Sequence, residues 1–359
     1  MVNKKRVDGL LKYMDELGQE QMIIRNPLLI NYLLGYTPRG GDRATILYVS
    51  KNNGIKLIAN HLTTWPKDLD IEIVLHGDKD SVAEEISKYS DHNVPLAVDT
   101  EFPAKWLIPL KDYNAATGYV LGDRAMNLQR AHKDEEELRL MREASEMNDR
   151  IMKKARTLFY DGVTEIEVAK KLSAMFVEEG ADMPGWAIVA FGANSSEVHH
   201  HSDNTQLKPG DTILIDMGSP RKGYHSDMTR TFFWKSVSDR QREIYELVKK
   251  ANLEAEKVIR PGMLCCDVDK VARDIISEPG YGEYFTHRLG HYIGIELHDP
   301  GDIAFYNKDK VEPTMTFSCE PGIYLPGEFG VRIEDLVIVT ESGAEIINKD
   351  SKELEVLGI

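Results

Sequence analysis

The stretch DTILIDMGSPRKGYHSDMTRTFFW, residues 211–234, sets a carboxylate inside an apolar strand pattern. Asp216 is flanked by isoleucine and methionine, and the turn-forming run PRKG at 220–223 leads into a second strand-like segment. These features predict a β-hairpin over 212–234. A turn centred between Arg221 and Lys222 places Asp216 opposite Asp227, with Cβ atoms about 4.5–5.5 Å apart. Two anions this close in an apolar setting require a cation or shared protons.

A second segment repeats this pattern. In TFSCEPGIYLPGEFGVRIEDLVIV, residues 316–339, a turn centred on Gly327 sets Glu320 opposite Glu334. Arg332 lies two residues before Glu334, on the same face of the strand, and is predicted to support that carboxylate. The chain therefore has two hairpins, each with an internal acidic pair.

Histidines lie before and between the two hairpins. His287, His291 and His298 occur in THRLGHYIGIELHDP, and the run HHH occupies 199–201. A lone histidine or a lone acid in an apolar run is more often structural than a ligand, but the joint pattern favours a metal site. The HHH run is also consistent with a simple loop cluster, so only one or two of its members are expected at the site.

The donor set predicts the type of ion. Four carboxylates and one histidine carry a ligand charge of −4, which balances two divalent cations. Oxygen-rich coordination favours manganese, with cobalt or zinc as alternatives. Two such ions about 3.5–4 Å apart form a known arrangement for activating water.

Size and composition indicate a folded chain of two domains. The sequence has 359 residues, of which 42% are hydrophobic and 29% charged, and its formal net charge is −15. This charge opposes binding to nucleic acid or to an anionic membrane. Three cysteines do not form a disulfide framework or a zinc spacing, and no segment resembles a signal peptide or a membrane span. We therefore predict a cytoplasmic protein.

Periodicity divides the chain near residue 125. Residues 1–125 alternate short helices with β-branched runs, which predicts a small mixed α/β domain. Residues 126–359 begin with a long helix predicted over 133–160. Capping boxes at Thr164 and Ser238 open two further helices, and a fourth is predicted near 266–278.

The order of these segments resembles the pita-bread metallopeptidases, which include Xaa-Pro aminopeptidases, prolidases and methionine aminopeptidases, and also metal-free creatinase. The resemblance covers the whole second domain, and residues 316–335 are similar to the proline-peptidase branch in particular. It implies an α+β protein with a creatinase/prolidase-type N-terminal domain at 1–125 and a pita-bread catalytic domain at 126–359. The family's metal positions fall on five residues of this chain: Asp216, Asp227, His291, Glu320 and Glu334.

The resemblance also implies roles for these residues. Asp227 and Glu334 bridge two metal ions, a bridging hydroxide attacks the scissile carbonyl, and Glu320 shuttles a proton. His199 and His298 match two histidines that stabilise the substrate and the tetrahedral intermediate. The implied enzyme cleaves the bond before proline in Xaa-Pro dipeptides or at the amino terminus of Xaa-Pro peptides, and acts as a homodimer.

Two alternatives and two departures stay open. A creatinase-like carbon–nitrogen hydrolase or a non-catalytic pita-bread binding protein shares the fold. Asp302 stands where some archaeal prolidases have an arginine suited to a dipeptide carboxylate, which weakens a strict dipeptidase assignment and leaves an aminopeptidase acting on longer peptides open. Tyr292 replaces a frequent glycine, and we expect it to narrow the entrance of the site.

Overall fold

The computed structural model describes residues 2–38 and 41–359. Contacts divide the chain into two compact units, Met1–Arg130 and Ala131–Ile359. The predicted boundary at residue 125 falls within a helix, Asp123–Ala131, and stays a prediction. Among the described residues, no helix is both long and apolar enough to cross a membrane.

The first unit contains a six-stranded mixed sheet with the strand order β4-β3-β2-β1-β5-β6. The strands are β1 (Gln21–Ile24), β2 (Thr45–Ser50), β3 (Gly54–Asn60), β4 (Glu72–His76), β5 (Leu96–Val98) and β6 (Tyr119–Leu121). The helices are α1 (Lys4–Glu16), α2 (Pro27–Leu34), α3 (Val82–Tyr89), α4 (Ala104–Asp112) and α5 (Asp123–Ala131). The β-branched runs of the sequence become β1 to β4, which confirms the predicted mixed α/β character.

Four helices of the second unit begin where the sequence signals predict. They are α6 (Glu135–Ala155), α7 (Glu165–Glu178), α8 (Asp239–Val258) and α9 (Cys265–Ser277). The first three open with complete capping boxes, at Asp134, Thr164 and Ser238, in which the cap side chain and the N3 side chain each bond the other's backbone. Both predicted capping boxes are confirmed.

The strands of the second unit form two main sheets, ordered β19-β11-β8-β7 and β13-β12-β14-β17-β18. The first sheet contains β7 (Trp186–Phe191), β8 (Thr212–Gly218), β11 (Met228–Trp234) and β19 (Val356–Leu357). Between β8 and β11 the chain forms a short two-stranded ladder of β9 (Pro220–Arg221) and β10 (Tyr224–His225). The second sheet and its hairpin comprise β12 (Gly290–Tyr292), β13 (Asp299–Ile303), β14 (Thr316–Cys319), β15 (Gly322–Leu325), β16 (Phe329–Arg332), β17 (Asp335–Val339) and β18 (Ala344–Ile346).

Each helix pair packs on one sheet. Apolar residues of α6 and α7, such as Ile151 and Leu172, share a core with Ile213 and Ile215 of β8. A second core joins α8 and α9 to the strands that follow them, with Phe317 of β14 fully buried. Helices covering one face of each sheet provide the apolar burial that stabilises this unit.

The register of the first hairpin differs from the prediction. Asp216 pairs with Thr229, and Asp227 lies one pair beyond the end of the β8–β11 ladder. The turn is centred on Lys222 and Gly223, which both have positive φ (51° and 82°), so the centre is one residue later than predicted. Positive φ at both central residues is the type I′ geometry that matches strand twist. The partner of Asp216 is thus two residues later than predicted. Because side chains two residues apart in a strand lie on the same face, Asp227 is on the same face as Asp216 and is its diagonal neighbour.

The register of the second hairpin is confirmed. Gly322 pairs with Arg332, and Cys319 of β14 pairs with Asp335 of β17, so the same register continues through both ladders. Glu320 and Glu334 lie between these ladders, at the same level along the hairpin. Asp227, Glu320 and Glu334 thus lie directly beyond the ends of strands, whereas Asp216 lies within β8.

Candidate metal centre

Three of the predicted ligands form a tight group. One ligand atom from each of Asp227, His291 and Glu334 lies within 4.8 Å of the other two, and all three residues are buried. His291 Nε2 lies 3.5 Å from Asp227 Oδ2 and also 3.5 Å from Glu320 Oε1. The structure therefore brings the histidine of β12 together with acids from both hairpins.

The electrostatics of this group disfavour its charged state without a cation. Burial raises the pKa of Asp227 well above the usual value, and repulsion from Asp216 and Glu320 adds to the increase. Burial, followed by repulsion from Asp227, likewise raises the pKa of Glu334. Burial also opposes the charge of Glu320, but electrostatic interactions with His291, His287 and Arg332 outweigh it and lower the pKa.

Unsatisfied oxygens show that the cluster fits divalent ions. Within the described part of the chain, three buried carboxylate oxygens of this cluster have no hydrogen-bond partner: Asp216 Oδ1, Asp227 Oδ1 and Glu334 Oε1. Buried polar atoms are nearly always paired, so such orphans indicate a missing partner. Hard divalent cations take carboxylate oxygen and imidazole nitrogen as ligands, which this donor set provides.

Arg332 and Thr229 hold the carboxylates in place. Arg332 Nη2 donates to Asp216 Oδ2 over 2.6 Å, and its Nε donates to Thr229 Oγ1 over 3.0 Å. Thr229 Oγ1 in turn donates to Glu334 Oε2 over 2.7 Å. The direct ion pair of Arg332 is with Asp216, so its predicted support of Glu334 is indirect. Arg332 reaches Glu334 through Thr229, which lies opposite Asp216 in the corrected register.

All seven residues predicted for the site line one cavity of about 490 Å³. They are His199, Asp216, Asp227, His291, His298, Glu320 and Glu334. The rings of His298 and His291 lie 4.1 Å apart between centroids. Loss of hydration in the cavity, together with the like charge of His291, lowers the pKa of His298 to about 4. His298 is therefore neutral near pH 7.

Sequence reasoning missed several lining residues. Trp186, Ile188 and Leu297 form an apolar part of the wall, and Arg288 adds a positive charge. The apolar residues carry no chemical signal in the sequence, because their role follows only from the path of the chain.

Two neighbours of the site behave differently from expectation. Tyr292 is buried and its ring stacks on Phe317 in the core, so it does not narrow the entrance as predicted. It follows His291 on a strand, and alternate residues point to opposite faces. Asp302 provides no positive charge at its position. Its Oδ1 lies 3.0 Å from Nε of Arg288, and it is Arg288 that adds a cation to the lining of the cavity.

Two family models match the chain. The one described as "Metallopeptidase family M24" matches residues 139–341, and the one described as "Creatinase/Prolidase N-terminal domain" matches residues 6–113. These matches confirm the predicted α+β fold class, with a creatinase/prolidase-type N-terminal domain followed by a pita-bread domain.

Individual proteins are similar to this chain over nearly its whole length. An Xaa-Pro dipeptidase of Pyrococcus furiosus is 31% identical, over 98% of this chain and 99% of its own length. The crystal structure of dipeptidase PepE from Mycobacterium ulcerans superposes with a TM-score of 0.92 at 28% identity, covering 100% of this chain and 98% of that one. An X-Pro aminopeptidase of Thermotoga maritima gives a TM-score of 0.81 at 28% identity, covering 96% and 100%.

Proposed function

The chain belongs to metallopeptidase family M24 and is a peptidase, and we propose that it hydrolyses the peptide bond before proline. Its substrates are Xaa-Pro dipeptides or peptides that begin with Xaa-Pro. The names of its relatives support this choice, because both an Xaa-Pro dipeptidase and an X-Pro aminopeptidase are similar to nearly the whole chain.

The observation that carries the proposal is the buried acidic cluster with its unpaired oxygens. We propose that five residues hold two divalent ions, manganese being favoured by the oxygen-rich donor set: Asp216, Asp227, His291, Glu320 and Glu334. Such ions, when bound, lower the pKa of water and polarise the carbonyl of the scissile bond.

The cavity suits a prolyl substrate. An Xaa-Pro bond is a tertiary amide with no N–H, so a peptidase that grips the extended backbone loses a contact there. Trp186, Ile188, Val198 and Leu297 offer an apolar wall on which a pyrrolidine ring buries its surface instead. Recognition of the ring thus replaces recognition of the missing N–H.

Three residues of the cavity take part in proton transfer and charge stabilisation. The lowered pKa of Glu320 keeps its carboxylate ionised, so it accepts a proton from the attacking water and passes it to the leaving amine. His298 is neutral, so a ring N–H donates a hydrogen bond to the oxygen that becomes negative in the transition state. We assign His199 the same kind of contact with the substrate.

The length of the substrate is a separate part of the proposal. Arg288 is a cation in the cavity, and a free prolyl carboxylate would pair with it. Asp302 neutralises part of this charge, which weakens the preference for dipeptides. We therefore propose that dipeptides and longer Xaa-Pro peptides are both cleaved.

The test combines metal restoration with substrate choice. Chelator-treated protein is reloaded with manganese, cobalt or zinc, and hydrolysis is measured for an Xaa-Pro dipeptide, its C-terminal amide, an Xaa-Pro tripeptide and creatine. We expect metal-dependent hydrolysis of the prolyl peptides alone. Turnover of creatine would support the creatinase alternative, and no metal-dependent turnover of any substrate would support the non-catalytic one.

A matched pair of variants tests the role of Glu320. Glu320→Gln is expected to retain the fold but lose at least about 99% of turnover, in line with the contribution of a general acid–base group. Glu328→Gln is the control, since this half-exposed acid lies in the turn of the same hairpin and pairs with Arg240. Equal turnover of the two variants would contradict the role of Glu320.

The predictions of a homodimer and of a cytoplasmic location rest only on the family resemblance and on the composition, respectively. Both stay predictions. Sedimentation equilibrium and cell fractionation are the measurements that check them.

A further inference from the structure

We propose that His200 and Glu165 are positioning residues, which hold the backbone of the neighbouring His199 so that its ring lies at the cavity. The inference rests on the proposed function in so far as it gives His199 a substrate to contact. It also assigns a role to one further member of the HHH run.

The three consecutive histidines have different surroundings. His199 lines the cavity, whereas His200 is 7% exposed and His201 is exposed to solvent. His200 Nε2 lies 2.7 Å from Glu165 Oε2, and its Nδ1 lies 3.2 Å from Glu197 Oε2. Both ring nitrogens of His200 are thus engaged with acids on either side of the ring.

Glu165 is the first residue of α7 and is fully buried. Its Oε1 accepts hydrogen bonds from Phe191 N at 2.7 Å and Asn194 Nδ2 at 2.9 Å, and its Oε2 also accepts from Asp203 N at 3.0 Å. One carboxylate therefore ties the start, middle and end of segment 191–203 to α7. His200 provides the contact adjacent to His199.

The opposite side of His199 is tied to the acidic cluster. Val198 O accepts a long hydrogen bond of 3.4 Å from Arg332 Nη1, and the same guanidinium bonds Asp216. His199 therefore lies between one residue held by Arg332 and one held by Glu165. Because Val198 and His200 are both held by these contacts, the φ and ψ angles of His199 between them are restricted. This restriction fixes the direction of the His199 side chain.

The cluster of Glu165, His200 and Asp203 also has ligand atoms within 4.8 Å of one another. However, each oxygen of Glu165 already has two hydrogen-bond partners, which fills its usual acceptor capacity. Burial opposes the charge of His200, but hydrogen bonds that its ring donates to the carboxylates of Glu165 and Glu197 outweigh this effect and raise its pKa. A fully paired acid beside a histidine whose pKa is raised is a clamp rather than a set of metal ligands.

Kinetics of a double-mutant cycle test the inference. Misplacing a contacting group by about 1 Å costs up to about 100-fold in rate, so His200→Ala is expected to lower kcat about 10- to 100-fold, with KM changed less than threefold. His200→Gln keeps one N–H donor toward Glu165 and should recover most of this loss. In a His199→Ala background, His200→Ala should have no further effect on kcat. An equal loss in both backgrounds would overturn the inference.

Hydrogen exchange tests the clamp without relying on activity. In His200→Ala, amides of segment 197–203 should exchange at least tenfold faster than in the wild type, while the core strands keep their protection; His201→Ala serves as the control. If the wild type cleaves no Xaa-Pro peptide, the proposed function fails but the exchange result still decides on the clamp. Unchanged exchange in His200→Ala overturns the inference, and if that variant does not fold, His200→Gln decides by the same measurement: wild-type exchange supports the clamp, and unprotected 197–203 amides overturn it.

Discussion

Thr229 connects two groups of the acidic cluster through one hydroxyl. It donates to Glu334 Oε2 and accepts from Arg332 Nε, and its neighbour across the ladder is Asp216. Partners of this kind orient the carboxylates that contact an ion, and their loss usually costs about 10- to 100-fold in metal affinity.

Thr229→Val should therefore weaken metal binding by about 10- to 100-fold, because valine has the same shape without the hydroxyl. Competition with a chromogenic chelator measures the affinity directly. Thr231→Val is the control, since Thr231 Oγ1 bonds only the backbone of Arg332 in the described structure. The control should lose about 1 kcal/mol of stability at unchanged affinity. Wild-type affinity in Thr229→Val would refute the role of this hydroxyl.

The side-chain chemistry of the site was predictable, but the partners of its residues were not. Acids such as Asp216 and Glu334 stand out in apolar strands because burying them alone is costly. Thr229 carries no such signal, because a threonine in a strand is ordinary. The direct partner of Arg332 depends on a crossing of two hairpins that are more than 100 residues apart in sequence.

At the scale of elements, local turn geometry decided which registers were predictable. The second hairpin turns about Gly327, whose φ of 73° marks the centre that the sequence indicates. In the first hairpin, Lys222 takes a positive φ that lysine seldom adopts, so the proline earlier in the run gave a misleading centre. Helix starts were predictable because capping boxes are local, whereas the order of strands in a sheet is set by contacts distant in sequence.

The Lys222–Gly223 turn gives a stability prediction. Gly223 has φ of 82°, and an added Cβ meets no atom within 4 Å, so Gly223→Ala adds backbone strain without a clash. We expect a loss of about 1–2 kcal/mol in the free energy of urea unfolding. Gly343→Ala is the control, since Gly343 lacks a positive φ and its nearest contact is 3.9 Å. Equal stability of the two variants would argue against strain at this turn.

At the scale of the catalytic unit, a network of buried charges joins distant parts of the chain. Arg230 of β11 donates to Asp335 of β17, and Lys352 lies 2.8 Å from Asp335 and 2.7 Å from Glu256 of α8. Asp335 directly follows Glu334 in the sequence. The network thus connects both helix–sheet halves behind the acidic cluster, in a way that no local pattern predicts.

The titration of Glu256 should make stability fall with rising pH. Burial, with repulsion from Asp335, raises its pKa from 4.5 to about 8 against the attraction of Lys352. Between these values the folded protein holds a proton that the unfolded chain releases. The stabilisation of the folded protein by this proton is therefore complete below about pH 4.5 and is lost as the pH rises through about 8.

Glu256→Gln removes this proton uptake, so its stability relative to the wild type should increase from pH 5 to pH 9. Urea unfolding of the metal-free proteins at several pH values measures the difference, and the absence of metal removes the pH dependence of metal binding from the comparison. Glu254→Gln, on the same helix and paired at the surface with Lys257, should follow the wild type at every pH. If Glu256→Gln also runs parallel to the wild type, Glu256 does not take up a proton on folding, and the network holds it as an anion paired with Lys352.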